Sequence, residues 1–203
     1  MKLEITTKIN GVDPTRLQET VSTVKASPEL ATFKFQLENR WINAGENRSE
    51  VASFCWNGQS LSHKNKFVLA ADEPEALLGN DEGANPVEYL LHALASCVTT
   101  SMVYHAAARG IAIEEVESSL EGDLDLRGFL GLDPSVRNGF QQIRMTLRIR
   151  ADATDEQLAE LGRLGPTFSP VYDSILRGVP IAVSTERILP GGLSQGLAGG
   201  GAL

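Results

Sequence analysis

Cysteine is scarce in this chain: Cys55 and Cys97 are the two cysteines among 203 residues. One possible bridge excludes a disulfide scaffold of the kind that small secreted domains rely on. There is no CxxC pair and no Cys/His cluster at zinc spacing, so neither a metal site nor a bound cofactor is expected. Reduced thiols and a cytoplasmic location follow as the default. Basic clusters are also missing. The formal net charge is −8, from 18 basic and 26 acidic residues, which argues against nucleic acid or an anionic membrane as partner. The start, MKLEITTKINGVD, lacks the apolar stretch and small-residue cleavage site of a secretory leader. The most apolar run, about residues 89 to 108, is interrupted by His92, Tyr104, His105 and several Ser and Thr. That pattern predicts a buried helix rather than a membrane span.

What is present is enough to build a core: 42% of the residues are hydrophobic, and the length suits one sizeable domain with extensions. KLEITTKI reads as a first strand, and Asp13-Pro14 as a helix start with Asp as N-cap and Pro at the first helical position. Leu17, Val21 and Val24 follow at helical spacing, and Ser27-Pro28 ends the segment. FKFQLENRWI (33–42) and EVASFCWNG (50–58) are strand-like around the turn NAGEN, with FVLAA (67–71) a third strand. A polar loop over 72–84 then leads to a long helix. Its signals are Asn85 as N-cap, Pro86 at N1, Glu88 at N3 in a capping box, Arg109 in the last turn and Gly110 at C′. It spans about 24 residues, roughly 36 Å, and is apolar or small almost all round, which predicts burial on every side.

VESSLEGDLDL (116–126) alternates apolar and acidic residues, and FQQIRMTLRIRADA alternates Ile143, Met145, Leu147 and Ile149 with Arg144, Thr146, Arg148 and Arg150. These read as a half-buried antiparallel pair whose arginines form a solvated face. Thr154 and Gln157 form a second capping box, Ser169-Pro170 opens a short helix ended by Gly178, and VPIAVSTER (179–187) reads as a closing strand. Strands grouped together rather than alternating with helices predict an α+β fold with antiparallel sheets around the long helix. A helix apolar on all sides is hard to bury under one small sheet, so a symmetric homodimer with both long helices between the sheets is expected. The predicted layout is an N-terminal strand and helix over 1–30, a main domain over 31–188 and a flexible glycine-rich tail over 189–203.

NPVEYLLHALASC, followed about 70 residues later by SPVYDSILRGVPIAV, resembles the OsmC/Ohr family of osmotically induced and organic-hydroperoxide-reducing proteins. The resemblance runs from about residue 33 to 187, and HAAARGI and EGDLDLRGFLGL resemble a longer OsmC-like subgroup. It implies an intertwined homodimer with two sites at the subunit interface. Active members reduce organic hydroperoxides: a reactive cysteine becomes a sulfenic acid, a second cysteine closes a disulfide, and a dithiol restores the pair. An arginine lowers the thiol pKa and a glutamate holds the arginine. On this chain the reactive thiol falls on Cys97. The resolving cysteine falls on Ser169, which cannot form a disulfide, so an external thiol reductant is implied. The family's glutamate position is Val87, with Glu88 one residue on, a 100° rotation around the helix. The arginine falls on Arg40 in LENRW, with Arg48 as the alternative.

Each assignment has a plainer rival. A lone cysteine in an apolar helix is by default a packing residue. Cys97 also lies too far from the helix start for the dipole to lower its pKa much, so reactivity needs a nearby cation. Ser101 and Tyr104, at +4 and +7, share its helix face and are candidates to line the same pocket. Ser169 is explained by N-capping, and it is also placed to donate a hydrogen bond to a ligand. Glu88 is explained by the capping box. Cys55, beside Trp56, reads as buried rather than as a substitute resolving thiol. His92 lies roughly 140° around the helix from Cys97, a poor position for a base. Two functions remain open at this point. One is thiol-dependent reduction of a small organic hydroperoxide by Cys97, with Arg40 and Glu88 in support. The other is a non-catalytic protein holding a small apolar ligand in the dimer-interface pocket.

Overall fold

The computed structural model describes residues 7–189 and 194–196. The expected first strand lies mostly outside them; within them, Ile9 and Val12 close a small antiparallel bridge. Helix α1 (Pro14–Ala26) starts as its sequence dictates, with the Asp13 carboxylate accepting from the Thr15 and Arg16 N–H groups. A 3-10 turn, Pro28–Ala31, follows.

The next four strands form one antiparallel sheet: β1 (Phe33–Phe35), β2 (Glu38–Asn43), β3 (Glu46–Trp56) and β4 (Gln59–Ala71). The expected single strand over 33–42 is broken, and its two halves pair with different stretches of β3. β4 pairs with β3 as well, so β3 is the spine. On this sheet Phe33, Phe35, Phe54, Trp56, His63 and Phe67 form a chain of ring contacts with centroids 5.1–6.4 Å apart, and Phe35 remains 75% exposed.

The loop from Asp72 to Asn85 is organised by one carboxylate. Asp72 is fully buried and accepts the backbone N–H groups of Glu73, Asn80 and Glu82. Burial pushes its carboxyl up. The three N–H donors and the Arg48 charge outweigh that and hold it below its ordinary value.

Helix α2 (Pro86–Ala108) begins with the predicted capping box and ends at Arg109, with Gly110 at φ +73°. Burial on every side is not what a single chain achieves: Leu94, Val98, Met102, Ala106 and Ala107 are buried, whereas Leu90 and Tyr104 are 39% and 51% exposed. The apolar residues outnumber the surfaces that one chain places against them.

β5 (Ile113–Asp123) and β6 (Gln142–Ala151) form the expected antiparallel pair, with Val116 opposite Ile149 and Leu120 opposite Met145. β5 starts and ends three residues earlier than the alternation suggested. Leu126 instead opens a one-turn helix, α3 (Leu126–Phe129). On the outer face Arg144 pairs with Glu121 and Asp123, and Arg150 with Glu114 and Glu115. Helices α4 (Asp155–Phe168) and α5 (Pro170–Arg177) carry the predicted caps at Thr154 and Ser169.

The core is small: Met102 and Ala106 of α2 meet Leu161 and Leu164 of α4, with Ile113, Val116, Leu147 and Ile149 of the β5–β6 pair beneath. VPIAVSTER does not form the expected strand. Only Glu186–Ile188 is extended and paired, as β7, and its partner is β8 (Ser194–Gly196) from the tail expected to be flexible. Val179, Ile181 and Val183 alternate correctly but are 57–71% exposed. A strand needs a ladder of backbone partners, and among the described residues none is aligned with these. Residues 190–193 and 197–203 of the tail lie outside the described residues.

Candidate functional site

Cys97 lies midway along α2, half-buried and free, as is Cys55 on β3. What faces it follows from the helix period. Ser101, one turn on, donates its hydroxyl to the Phe168 carbonyl at 3.1 Å. This pins the Cys97 side of α2 to the junction of α4 and α5. His105, a further turn on, stacks on the Phe168 ring with centroids 3.9 Å apart. Arg109, at the end of the same stripe, donates to the His105 carbonyl at 3.0 Å and pairs with Glu160 of α4 at 3.2 Å. Burial and the Arg109 charge both lower the His105 pKa, so the ring is neutral at ordinary pH. His105 and Phe168 were not singled out in the sequence. The i, i+4, i+8 stripe from Ser101 to Arg109 carries the signal that would have found His105, whereas Phe168 is reached only through the tertiary packing.

The helices meet closely here. A Cβ on Gly165 of α4 would lie 2.8 Å from Val98 Cγ1 and 2.9 Å from the Val98 carbonyl oxygen. Glycine is what lets α4 sit against the residue next to Cys97. Ser169 follows immediately. It is 2% exposed, and its hydroxyl accepts the Tyr172 N–H at 3.1 Å.

The other predicted residues are placed elsewhere in the chain. The Glu88 carboxylate accepts the Asn85 N–H at 2.8 Å, nine residues before Cys97 and so about 14 Å along the helix axis. Tyr104 stands with Lys8, Arg16 and Thr20 around a small crevice beside α1, away from the α4–α5 junction. Arg40 is exposed on β2 opposite Arg48, and Arg48 is paired with Glu46 at 2.6 Å. α2 packs chiefly on α4, β5 and α5, and it reaches the sheet that carries Arg40 near its start, where the Tyr89 hydroxyl donates to the Ala70 carbonyl of β4. No group of three or more His, Cys, Asp or Glu among the described residues is arranged to hold a metal ion. No helix among them is long and apolar enough to cross a membrane.

An α+β chain with a four-stranded antiparallel sheet, a strand pair and a long capped helix is a recognisable architecture, and solved structures share it. An OsmC-like protein from Mycoplasma pneumoniae superposes with a TM-score of 0.53 at 18% identity, over 72% of this chain and 89% of its own. An OsmC-like protein of unknown function from Vibrio cholerae does so with a TM-score of 0.50 at 14% identity, over 70% and 92%. No curated protein matches the sequence. The family model described as OsmC-like protein matches residues 79–184, more than half of the chain, and the protein belongs to that family.

Proposed function

We propose that this protein is a thiol-dependent peroxidase that reduces small organic hydroperoxides through Cys97 alone. The observation that carries the reading is the placement of that thiol. It is free and half-buried on the capped helix of an OsmC-like chain, one turn from the contact that fixes the α4–α5 junction. The Cys97 thiolate attacks the outer oxygen of R–OOH. The O–O bond breaks, ROH leaves with a proton, and the sulfur is oxidised to sulfenic acid. The Ser169 hydroxyl has no redox chemistry and is engaged as an N-cap. An external thiol therefore attacks the sulfenic acid, releasing water and forming a mixed disulfide, and a second thiol restores Cys97.

The thiolate needs a cation beside it, and Arg40 is the candidate, with Glu88 in support. Because the Arg40 sheet is not among the main packing partners of α2, the arginine would come from the partner subunit of a homodimer. Exposed Phe35, Trp41 and Val68 on that sheet, 60–75% accessible, favour such an assembly: apolar surface of this kind marks an interface. The test is mass spectrometry after one equivalent of cumene hydroperoxide. Cys97 should gain one oxygen in the parent chain and in Cys55→Ser, and turnover should vanish in Cys97→Ser. An unmodified Cys97 thiol refutes the reading.

A second reading is a non-catalytic homodimer that holds a small apolar ligand at the subunit interface. The buried Ser169, held as an N-cap where a resolving thiol would be, and Val87 where the family's glutamate would be, favour it. A thiol titration distinguishes the two: a Cys97 pKa well below about 8.5 supports the peroxidase, and an ordinary or raised one supports the binding protein.

A further inference from the structure

The start of α2, the Asp72–Asn85 loop and the segment from Leu124 to Phe140 enclose a cavity of about 760 Å³. That is inside the range of small-molecule sites, roughly 300–1,000 Å³. Of the candidate site residues Glu88 lines it, whereas Cys97, Ser101, Tyr104 and Ser169 do not, so it lies at the start of α2, away from the thiol. Its wall is apolar, with Leu77, Leu91, Leu124, Leu126, Phe129 and Phe140. Its polar groups are two carboxylates and two amides. Glu73, Asn85, Glu88 and Asn138 are the polar side chains on the lining. Among these, the Asn85 amide donates to the Glu73 carboxylate, and the Asn85 carbonyl oxygen accepts from the Val87 N–H. Glu88 uses one oxygen on the helix cap. A carboxylate only accepts, and each of these keeps spare lone pairs. The two carboxylates therefore place negative charge and spare acceptors at the edge of the cavity, beside the Asn138 amide.

One wall is held under strain. Leu78 has φ +65° and is 89% exposed, a backbone region that a branched apolar side chain avoids. The turn is closed by the Leu78 N–H on the Glu75 carbonyl at 3.0 Å, and buried Asp72 ties the rest of the loop. The loop thus holds Leu78 at the rim of the cavity, largely in solvent, at a cost in backbone energy.

We propose that this cavity binds a neutral amphiphile: an apolar chain with a hydrogen-bond-donating head, of which a medium-chain alcohol is the simplest example. The apolar wall removes the chain from water. A hydroxyl head donates to a free oxygen of Glu73 or Glu88. A carboxylate head of the same chain length is refused, because it brings a third negative charge and no donor.

The full chain is titrated with the fluorescent probe N-phenyl-1-naphthylamine, and the bound probe is then displaced with 1-decanol or with decanoate at pH 8. Saturable binding at one site per chain is expected. Decanol should displace the probe at about tenfold lower concentration than decanoate, a ratio worth ~1.4 kcal/mol. Ala76 lines the cavity from an exposed turn, so Ala76→Trp fills it without entering the core, and should weaken probe binding by about tenfold or more with the melting temperature unchanged. Phe129→Ala, which removes one wall, should weaken binding as well. Glu73→Gln should narrow the gap between decanol and decanoate. Probe binding that is absent, as when a second copy of the chain covers the cavity, overturns the proposal. So does binding that neither Ala76→Trp nor Phe129→Ala weakens, which would place the probe elsewhere, or equal displacement by the two competitors.

Discussion

Gly162 and Gly165 lie one turn apart on α4, and replacing each by alanine should move stability in opposite directions. An alanine gains about 0.5–1 kcal/mol over glycine inside a helix. At Gly162 nothing lies within 4 Å of the added Cβ, so Gly162→Ala should show that gain. At Gly165 the new Cβ meets Val98 Cγ1 at 2.8 Å, the Val98 carbonyl oxygen at 2.9 Å and Met102 Cβ at 3.5 Å. The side-chain contact is relieved by turning Val98, but Val98 is fully buried and has few alternative rotamers. The carbonyl contact is relieved only by moving the helices apart. Overpacking of this kind costs about 1–3 kcal/mol. Set against the propensity gain, the net expectation is a loss of about 1–2 kcal/mol. Urea melts of both variants and the parent, at one fixed protomer concentration, read this as a lower midpoint with unchanged slope for Gly165→Ala and a higher midpoint for Gly162→Ala. For a chain of this size, the loss corresponds to a melting temperature about 2–8 °C lower. Equal stabilisation by the two alanines would show that α4 does not approach α2 at Val98. The packing described around Cys97 would then be wrong.

Two further expectations follow from single side chains. Asp72 has a folded-state pKa below its ordinary value, so its contribution is present above about pH 3.9 and is lost as pH falls through the folded value. Asp72→Asn should therefore melt earlier than the parent at pH 7, with the difference shrinking toward pH 2; a gap independent of pH would contradict the assignment. Ser169→Ala removes the α5 cap formed with the Tyr172 N–H and should cost about 0.5–2 kcal/mol in a chemical melt, while Ser169→Asn, another good cap, should recover part of it.

The helix boundaries were legible in the sequence because capping is a short-range matter. Asp13, Asn85, Thr154 and Ser169 each satisfy backbone donors two or three residues away, and no distant partner is needed to specify that. The β5–β6 pair was legible for a similar reason, since its alternation fits only one face against the core. The same local logic failed at VPIAVSTER, where the pattern is that of a strand but most of the ladder has no partner among the described residues. It failed again over 33–42, where β1 and β2 divide because each finds a different stretch of β3.

The candidate site divides in the same way. The sequence by itself determined that Cys97 lies midway along a capped, apolar helix, that Ser169 caps the next-but-one helix after the strand pair, and that no disulfide is available at that position. Tertiary structure alone decided what those residues face. It set the Ser101 contact with Phe168, the stacking of His105 on the same residue and the close approach at Gly165. It also placed Arg40 on a sheet apart from the main packing partners of α2, and enclosed a cavity between the continuous stretch 73–91 and the distant segment 122–140. Capping and periodicity are fixed by neighbours along the backbone. Cavities, stacking and close approaches depend on how separate elements come together, and no spacing in the sequence records that.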